Sequence, residues 1–377
     1  MKKFFTIALS FVLCSALLLS FVGCSQNESD SDSEAQVGII YDVETDDDGN
    51  KYAIVDKYAL SEDDAKKVSN NDYADIMVDL VVPATYTDDD GRTYPVKEVA
   101  ASAFANQLTL KSITFGSSIT EFGSACLAGC ANLESVTVPF VGKTVDAVND
   151  GKLFGYLFGT ASSVGSSSVT MSYNATGSKS YYIPNALKTV TVTGDQLPAY
   201  AFYGLNLSKV VLSGNVTAIG DYAFYGMSKL TSYAIPATVR TIGNYAFAEC
   251  ANLASVDFSA ATGLTAIGDH AFDGCDLLGY ANDYVLSFPA SVTKLGDKAF
   301  YNCGELKNVD LSTSNITALG EYAFYNCAKL SAVRLNENTA LSLGVFGKCE
   351  KLEMYDVVNL DSATGTGIAF DLDKYVA

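Results

Sequence analysis

The chain has 377 residues, 49% of them hydrophobic, and a net charge of −19. The apolar content is ample for a core, and the acidity excludes nucleic acid as a partner because it repels phosphate backbones. A single histidine leaves little material for the triads and metal sites on which much hydrolytic chemistry depends.

The first 24 residues read as an export signal. Lys2-Lys3 is a positive start, and a mainly apolar stretch runs from Phe4 to Val22. It ends in Phe21-Val22-Gly23-Cys24, which resembles a bacterial lipobox, with Phe21 standing where Leu is commoner. The resemblance implies cleavage before Cys24 and lipid attachment to it, hence a lipid-anchored protein of the cell envelope exposed outside the cytoplasm. An ordinary secretory signal or an uncleaved anchor is the competing reading. Residues 25–36, SQNESDSDSEAQ, hold no apolar residue except one Ala and predict a flexible acidic tether.

Residues 37–95 are expected to form a small β N-terminal cap. Two similar phrases, YDVETDDDGNKYAIV and YTDDDGRTYPV, place Asp-Gly between alternating apolar residues, a strong hairpin signal. A calcium loop is the rival. It would need Gly at its sixth place and Glu at its twelfth. Counted from Asp46, those places hold Lys51 and Lys57.

From 96 to 357 one phrase recurs: IGDYAFYG at 219–226, IGNYAFAE at 242–249, IGDHAFDG at 267–274, LGDKAFYN at 295–302 and LGEYAFYN at 319–326. Its Phe falls at Phe104, Phe202, Phe224, Phe247, Phe272, Phe300 and Phe324, with Leu127 and Phe346 in degenerate copies. Each Phe is followed by Leu-x-x-Val-x-hydrophobe, as in Leu253-Ala-Ser-Val256-Asp-Phe258, which has the period of a half-buried strand. The Ile-Gly before Ala-Phe predicts a turn with Gly at positive φ. One such unit cannot bury its apolar face alone, but stacked units can, so the repeat predicts a solenoid.

Residues 140–186 interrupt the array with LFGYLFG and a Ser/Gly/Thr-rich run, read either as a loop on a binding face or as a bulge held by Leu153, Phe154, Leu157 and Phe158. Residues 358–377 are expected to close the solenoid. Of the cysteines beyond Cys24, six share one repeat place, three residues after the Phe or its substitute Leu127; Leu205 and Met227 fill it in two other units, and Gln107, in the first, is the exception. A place that accepts Leu, Met and Cys predicts buried packing, not metal ligation.

The unit IGDYAFYG-x-x-x-Leu-x-x-Val-x-Leu-Pro resembles the BspA-like leucine-rich repeat, a short bacterial class, over about 96–357. The resemblance implies a repeat solenoid with short parallel β-strands on the concave face and turns and short helical segments on the other side. It also implies a secreted or surface-exposed protein, with adhesion to host proteins or other cells. The family carries no common catalytic residues and no cofactor, so the chain is expected not to be an enzyme. Cys126-Leu127 and Gly344-Val345-Phe346 depart from the phrase.

Candidate binding residues come from the solvent-facing place in each strand. That row runs Thr137, Thr191, Val211, Ala234, Asp257, Ser287, Asp310, Arg334 and Asp356. Its charged members, Asp257, Asp310, Arg334 and Asp356, are the expected contacts for a protein or cell-surface ligand. Two tyrosine rows, with Tyr200, Tyr222, Tyr245 and Tyr322 in one and Tyr203, Tyr225, Tyr301 and Tyr325 in the other, are the alternative, as a glycan-binding surface. His270 occupies the same variable place as Tyr222, Tyr245 and Lys298 and is expected to be exposed.

If Cys24 carries lipid, Cys24→Ala abolishes palmitate labelling of the protein and alters its processing. Unchanged labelling in that variant would refute the anchor.

Overall fold

The computed structural model describes residues 5–6, 37–281, 283–336, 339–352, 357–360 and 367–369, the first pair and the last two stretches as backbone only. Cys24, the acidic tether and much of the expected C-terminal cap lie outside the described residues. Residues 5–6 pair antiparallel with Tyr41 and Ile40. The chain divides into two compact units, Met1–Thr170 with Ser178–Gly194, and Met171–Gly177 with Asp195–Ala377.

The first unit opens on an antiparallel hairpin of Gly38–Thr45 and Lys51–Ala59. Its turn is closed by Asp46, whose carbonyl accepts from Gly49 N–H (2.9 Å) and whose carboxylate accepts from Asn50 N–H (2.8 Å). The second phrase does the same: Thr85–Thr87 pairs antiparallel with Thr93–Val99, and Asp88 accepts from Gly91 N–H (2.9 Å) and Arg92 N–H (2.8 Å). The leading aspartate of each phrase is thus a turn residue, as Asx turns require.

A helix, Glu62–Ser69, stands where the sequence reading had only hairpins. Ser61 Oγ accepts from Asp64 N–H (3.1 Å) and donates to the Asp64 carboxylate (2.8 Å), a reciprocal N-terminal cap. Acidic residues fill the first turn and lysines the last, in the sense the helix dipole favours. None of its residues is fully buried, so it lacks the apolar stripe by which a helix is recognised in sequence.

The repeat sheet of this unit is parallel. Val78–Val82, Leu110–Phe115, Ser135–Val138 and Thr189–Val192 pair in succession. Its first strand therefore lies inside the region expected to be a separate cap. The interruption at 140–186 is also narrower than expected. Ala125 N–H donates to Tyr156 O (3.0 Å) and Leu127 N–H to Leu157 O (2.8 Å), so LFGYLFG stacks on the preceding unit as a rung of its own. Short 3-10 turns at Asn149–Lys152 and Phe154–Leu157 shape it, and Phe154, Leu157 and Phe158 are buried. What leaves the stack is the hairpin formed by Ser166–Ser172 and Ser178–Pro184.

In the second unit each repeat supplies two strands. The Ile-Gly phrase is one of them: Ala218–Ile219, Thr241–Ile242, Ala266–Ile267 and Lys294–Leu295 form a parallel sheet of two-residue strands. The Leu-x-x-Val segments form the others, Ser232–Ala234 with Ser255–Asp257, and Leu286–Ser287, Asn308–Asp310, Ala332–Asn336 and Val357–Leu360 in a second run. Gly367–Ala369 turns back antiparallel on the last strand. The return segments are turns that also stack: Phe224 N–H donates to Ala246 O (2.8 Å), Phe247 N–H to Ala271 O (2.7 Å) and Phe272 N–H to Ala299 O (2.7 Å).

This stacking corrects the role of the Ile-Gly glycine. It does not supply the positive φ. A Cβ on Gly220 would stand 2.6 Å from Ala199 N, and one on Gly268 2.7 Å from Asn244 N, so the backbone of the preceding unit occupies the space. Positive φ falls instead on Tyr222 (58°), Tyr245 (54°), His270 (54°), Lys298 (54°) and Tyr322 (57°), and again four residues later, where Gly226 (68°) and Asn326 (56°) stand. The Asp or Asn after the glycine has its own task. Asp221 Oδ1 accepts from Asn244 N–H (2.7 Å), Asn244 Oδ1 from Asp269 N–H (2.8 Å), Asp269 Oδ1 from Asp297 N–H (3.0 Å) and Asp297 Oδ1 from Glu321 N–H (2.8 Å).

The interior repeats the same economy of form. Phe224, Phe247, Phe272, Phe300 and Phe324 are fully buried and stack ring on ring, with centroids 4.8, 5.1, 5.0 and 5.4 Å apart. The seven cysteines from Cys126 onward are free and buried. Those in the repeat place are more than small hydrophobes: Cys250 Sγ donates to Phe224 O (3.1 Å), Cys275 to Phe247 O (3.2 Å) and Cys327 to Phe300 O (3.2 Å). Burial pushes the Cys250 thiol up to about 12, which suppresses thiolate chemistry.

Phe247→Ala removes a ring stacked on both sides, and truncating a buried Phe costs about 3–5 kcal/mol. Chemical denaturation should show that loss, while Thr231→Ala, at an exposed place, leaves the midpoint nearly unchanged. Equal effects would refute the assigned interior.

Candidate functional surface

Strand alternation in the second unit separates an inner row from an outer one. Tyr233, Val256, Leu286, Val309 and Val333 are buried, while Ala234, Asp257, Ser287 and Arg334 between them are exposed and Asp310 is half-buried. The pairing sets the outer row directly: Ala234 lies beside Asp257, Ser287 beside Asp310, and Asp310 beside Arg334. In the first unit Thr137 lies beside Thr191.

At the last pairing Val358 lies beside Arg334, because Val333 pairs with Val357. Asp356, expected on the row, lies outside the described residues.

The remaining three charges are in two situations. Asp310 Oδ2 lies 3.6 Å from Arg334 Nη1, an ion pair between neighbouring strands, and Asp310 Oδ1 accepts from Ser312 N–H (3.0 Å) and Ser312 Oγ (2.6 Å). Asp257 has no cation beside it on the row; Oδ1 accepts from Ser259 N–H (2.8 Å), and this amide holds its carboxyl below the usual range. Between Asp257 and Ser287 the sheet is interrupted: Ser255–Asp257 and Leu286–Ser287 belong to different sheets. Tyr284 fills that position and was not foreseen, although the longer spacing from Phe272 to Phe300 was its signal. Its hydroxyl accepts from Val256 N–H (3.3 Å) and donates to Val256 O (3.0 Å).

The tyrosine rows are regular. Tyr200, Tyr222 and Tyr245 stack at 4.7 Å with planes 6–7° apart, and Tyr203 stacks on Tyr225 at 4.7 Å. Partial burial pushes Tyr222 up to about 12. Each ring is covered by its neighbour, so the row presents ring edges and hydroxyls more than faces. His270 continues this row and is not the exposed residue expected. Its ring stacks on Tyr245 at 4.4 Å, its Nδ1 lies 2.7 Å from Asp273 Oδ2, and its side chain is 19% exposed.

Short parallel strands, one set per repeat, with the Ala-Phe turns stacked beside them, define a leucine-rich repeat protein. The family model described as BspA type leucine rich repeat region matches residues 93–197, 195–282 and 280–362, and the chain belongs to this family. Among solved structures it is similar to a leucine-rich repeat protein from Bacteroides ovatus, 21% identical, with 85% of this chain and 75% of that chain covered and a TM-score of 0.42. It is similar also to a leucine rich cell surface protein from Faecalibacterium prausnitzii, 24% identical, with 87% and 88% covered and a TM-score of 0.31. A third is the pneumococcal vaccine antigen PcpA, 16% identical, with 83% and 85% covered and a TM-score of 0.28. No curated protein matches the chain.

Exposed ion pairs contribute at most about 1 kcal/mol. Arg334→Gln should therefore cost no more than that in chemical denaturation. Asp310→Ala should cost more, because it also strips the acceptor from Ser312. If the two cost the same, Asp310 serves the pair and not the turn.

Proposed function

We propose that this chain is a non-catalytic binding protein displayed outside the cytoplasm of a bacterium, held to the envelope through a lipid on Cys24, and that it engages a protein ligand with the outer row of its repeat strands. One observation carries the reading. The outer row is exposed or half-buried and its side chains vary without disturbing the strand pairing, while the Phe and Cys columns and the Ile-Gly glycines are filled by residues that the stack requires. Substitution there is tolerated by the fold, which is what a recognition surface needs. The row carries charge at Asp257, Asp310 and Arg334, and charges on such a face steer encounter and select partners.

The glycan alternative relies on tyrosine faces. Sugars bound by aromatic residues lie on ring faces, and here the faces of Tyr222 and Tyr245 are occupied by neighbouring rings. That favours the protein ligand.

The test offers the purified chain to a panel of extracellular matrix proteins and to a glycan array. Saturable binding to a protein, weakened by Arg334→Glu and indifferent to Tyr222→Phe, is the expected result. Binding confined to neutral glycans and lost in Tyr222→Phe would overturn it.

A further inference from the structure

The break in the outer row carries chemistry of its own. The main strands also fail to pair between Lys209–Leu212 and Ser232–Ala234, but among the described residues only the break after Asp257 has a side chain on the strand edge. At Val256 that edge meets the Tyr284 hydroxyl, which takes both the N–H and the carbonyl. Unpaired backbone groups at a strand edge need such partners. A phenol standing in place of a strand satisfies the edge, but it fills less of the surface than a strand would. The result is a groove of ≈ 430 Å³ whose lining includes Val256, Asp257, Phe258, Tyr284, Val285 and Phe288.

The groove is one-sided in its chemistry. Phe258 and Phe288 pack with ring centroids 5.0 Å apart, and both are nearly buried. Val285, in contrast, is 47% exposed, an apolar side chain left on the groove wall. Among the described residues, Asp257 is the only charged one in the lining. Its neighbour across the strand pair is Ala234, whereas Asp310 farther along faces Arg334. Asp257 accepts from the Ser259 amide and from the Ser259 side chain, and a carboxylate, with about four lone-pair sites, keeps further acceptor capacity. Apolar and aromatic walls beside a lone carboxylate match a side chain with an apolar stem and a cationic head.

We infer that the groove between the Ser255–Asp257 and Leu286–Ser287 strands is a recognition pocket for a basic side chain, lysine or arginine, presented by a protein ligand. Asp257 receives the cationic head, and Tyr284 and Val285 flank the stem. The pocket gives a chemical class to the ligand of the binding reading above and rests on that reading. The Asp310–Arg334 pair is internally neutralised and leaves Asp257 as the row's uncompensated charge.

The probes are N-acetyl-arginine amide, N-acetyl-lysine amide, the uncharged N-acetyl-norleucine amide and methyl glucoside, titrated by NMR into the full chain. Because the chain carries a net charge of −19, diffuse cation binding is the rival, and Asp276→Asn is the control: an exposed carboxylate in the same unit but outside the groove. A basic amide should bind saturably, and Asp257→Asn should weaken it about tenfold through loss of a charge-assisted hydrogen bond. Asp257→Glu should restore part of the binding, Asp276→Asn should change nothing, and norleucine amide should not bind. Equal weakening by Asp257→Asn and Asp276→Asn, no weakening by Asp257→Asn, or methyl glucoside binding in place of the basic amides would overturn the pocket. Thermal melts confirm that each variant is folded. A protein ligand that binds Asp257→Asn as well as wild type overturns the pocket and leaves the binding reading standing. Saturable arginine amide binding lost in Asp257→Asn, with no protein ligand found, upholds the pocket and overturns that reading.

Discussion

Everything in the repeats follows from the approach of one unit's backbone to the next. Parallel strands lie about 4.8 Å apart, and in this chain the return turns keep nearly the same spacing, as the 4.7 Å tyrosine stacks record. At that distance there is no room for a Cβ where the Ile-Gly glycine meets the preceding unit, so glycine is fixed there by contact and not by torsion. The same spacing stacks each side chain on its own counterpart. A flat ring meets a flat ring, a carboxylate or amide meets the next backbone N–H, and a thiol meets a carbonyl one unit back.

That constraint divides the positions of the repeat into two kinds. Phe247, Cys250, Leu253, Val256 and Asp269 are set by what lies above and below them, and their chemistry is used up in the stack. His270 belongs with them: the chain's one histidine stacks on Tyr245 and is held by Asp273, so the stack accounts for its presence. The outer strand row is the second kind. Its side chains are not needed for the strand pairing, and the sequence varies there from Ala234 to Asp257 to Arg334 without disturbing it.

The interruption at Tyr284 shows how a repeat protein acquires a distinct place on a repeated face. A few additional residues between Phe272 and Phe300 bring a side chain to the strand edge, and the row opens into a groove beside Asp257. A different irregularity, LFGYLFG, does the opposite. It looks foreign in sequence yet continues the stack, because Leu157 offers its carbonyl to Leu127 where Ala-Phe copies offer theirs.

The sequence by itself determined the repeat, the buried Phe and Cys columns, the two Asp-Gly hairpins and the identity of most outer-row residues. Each of these is a local pattern or a pattern at fixed spacing, and burial enforces it at every copy. Only the tertiary structure decided which glycines were steric and which residues took positive φ, because IGDYAFYG reads alike for either. It also decided the neighbours of Arg334, Asp310 on one side and Val358 on the other, because register and not spacing along the chain sets them. The Asp310–Arg334 pair, the helix Glu62–Ser69 with no buried face, and the bond from Tyr284 to Val256 across 28 residues belong to the same class. They depend on what lies beside a residue in space, and spacing along the chain does not fix that.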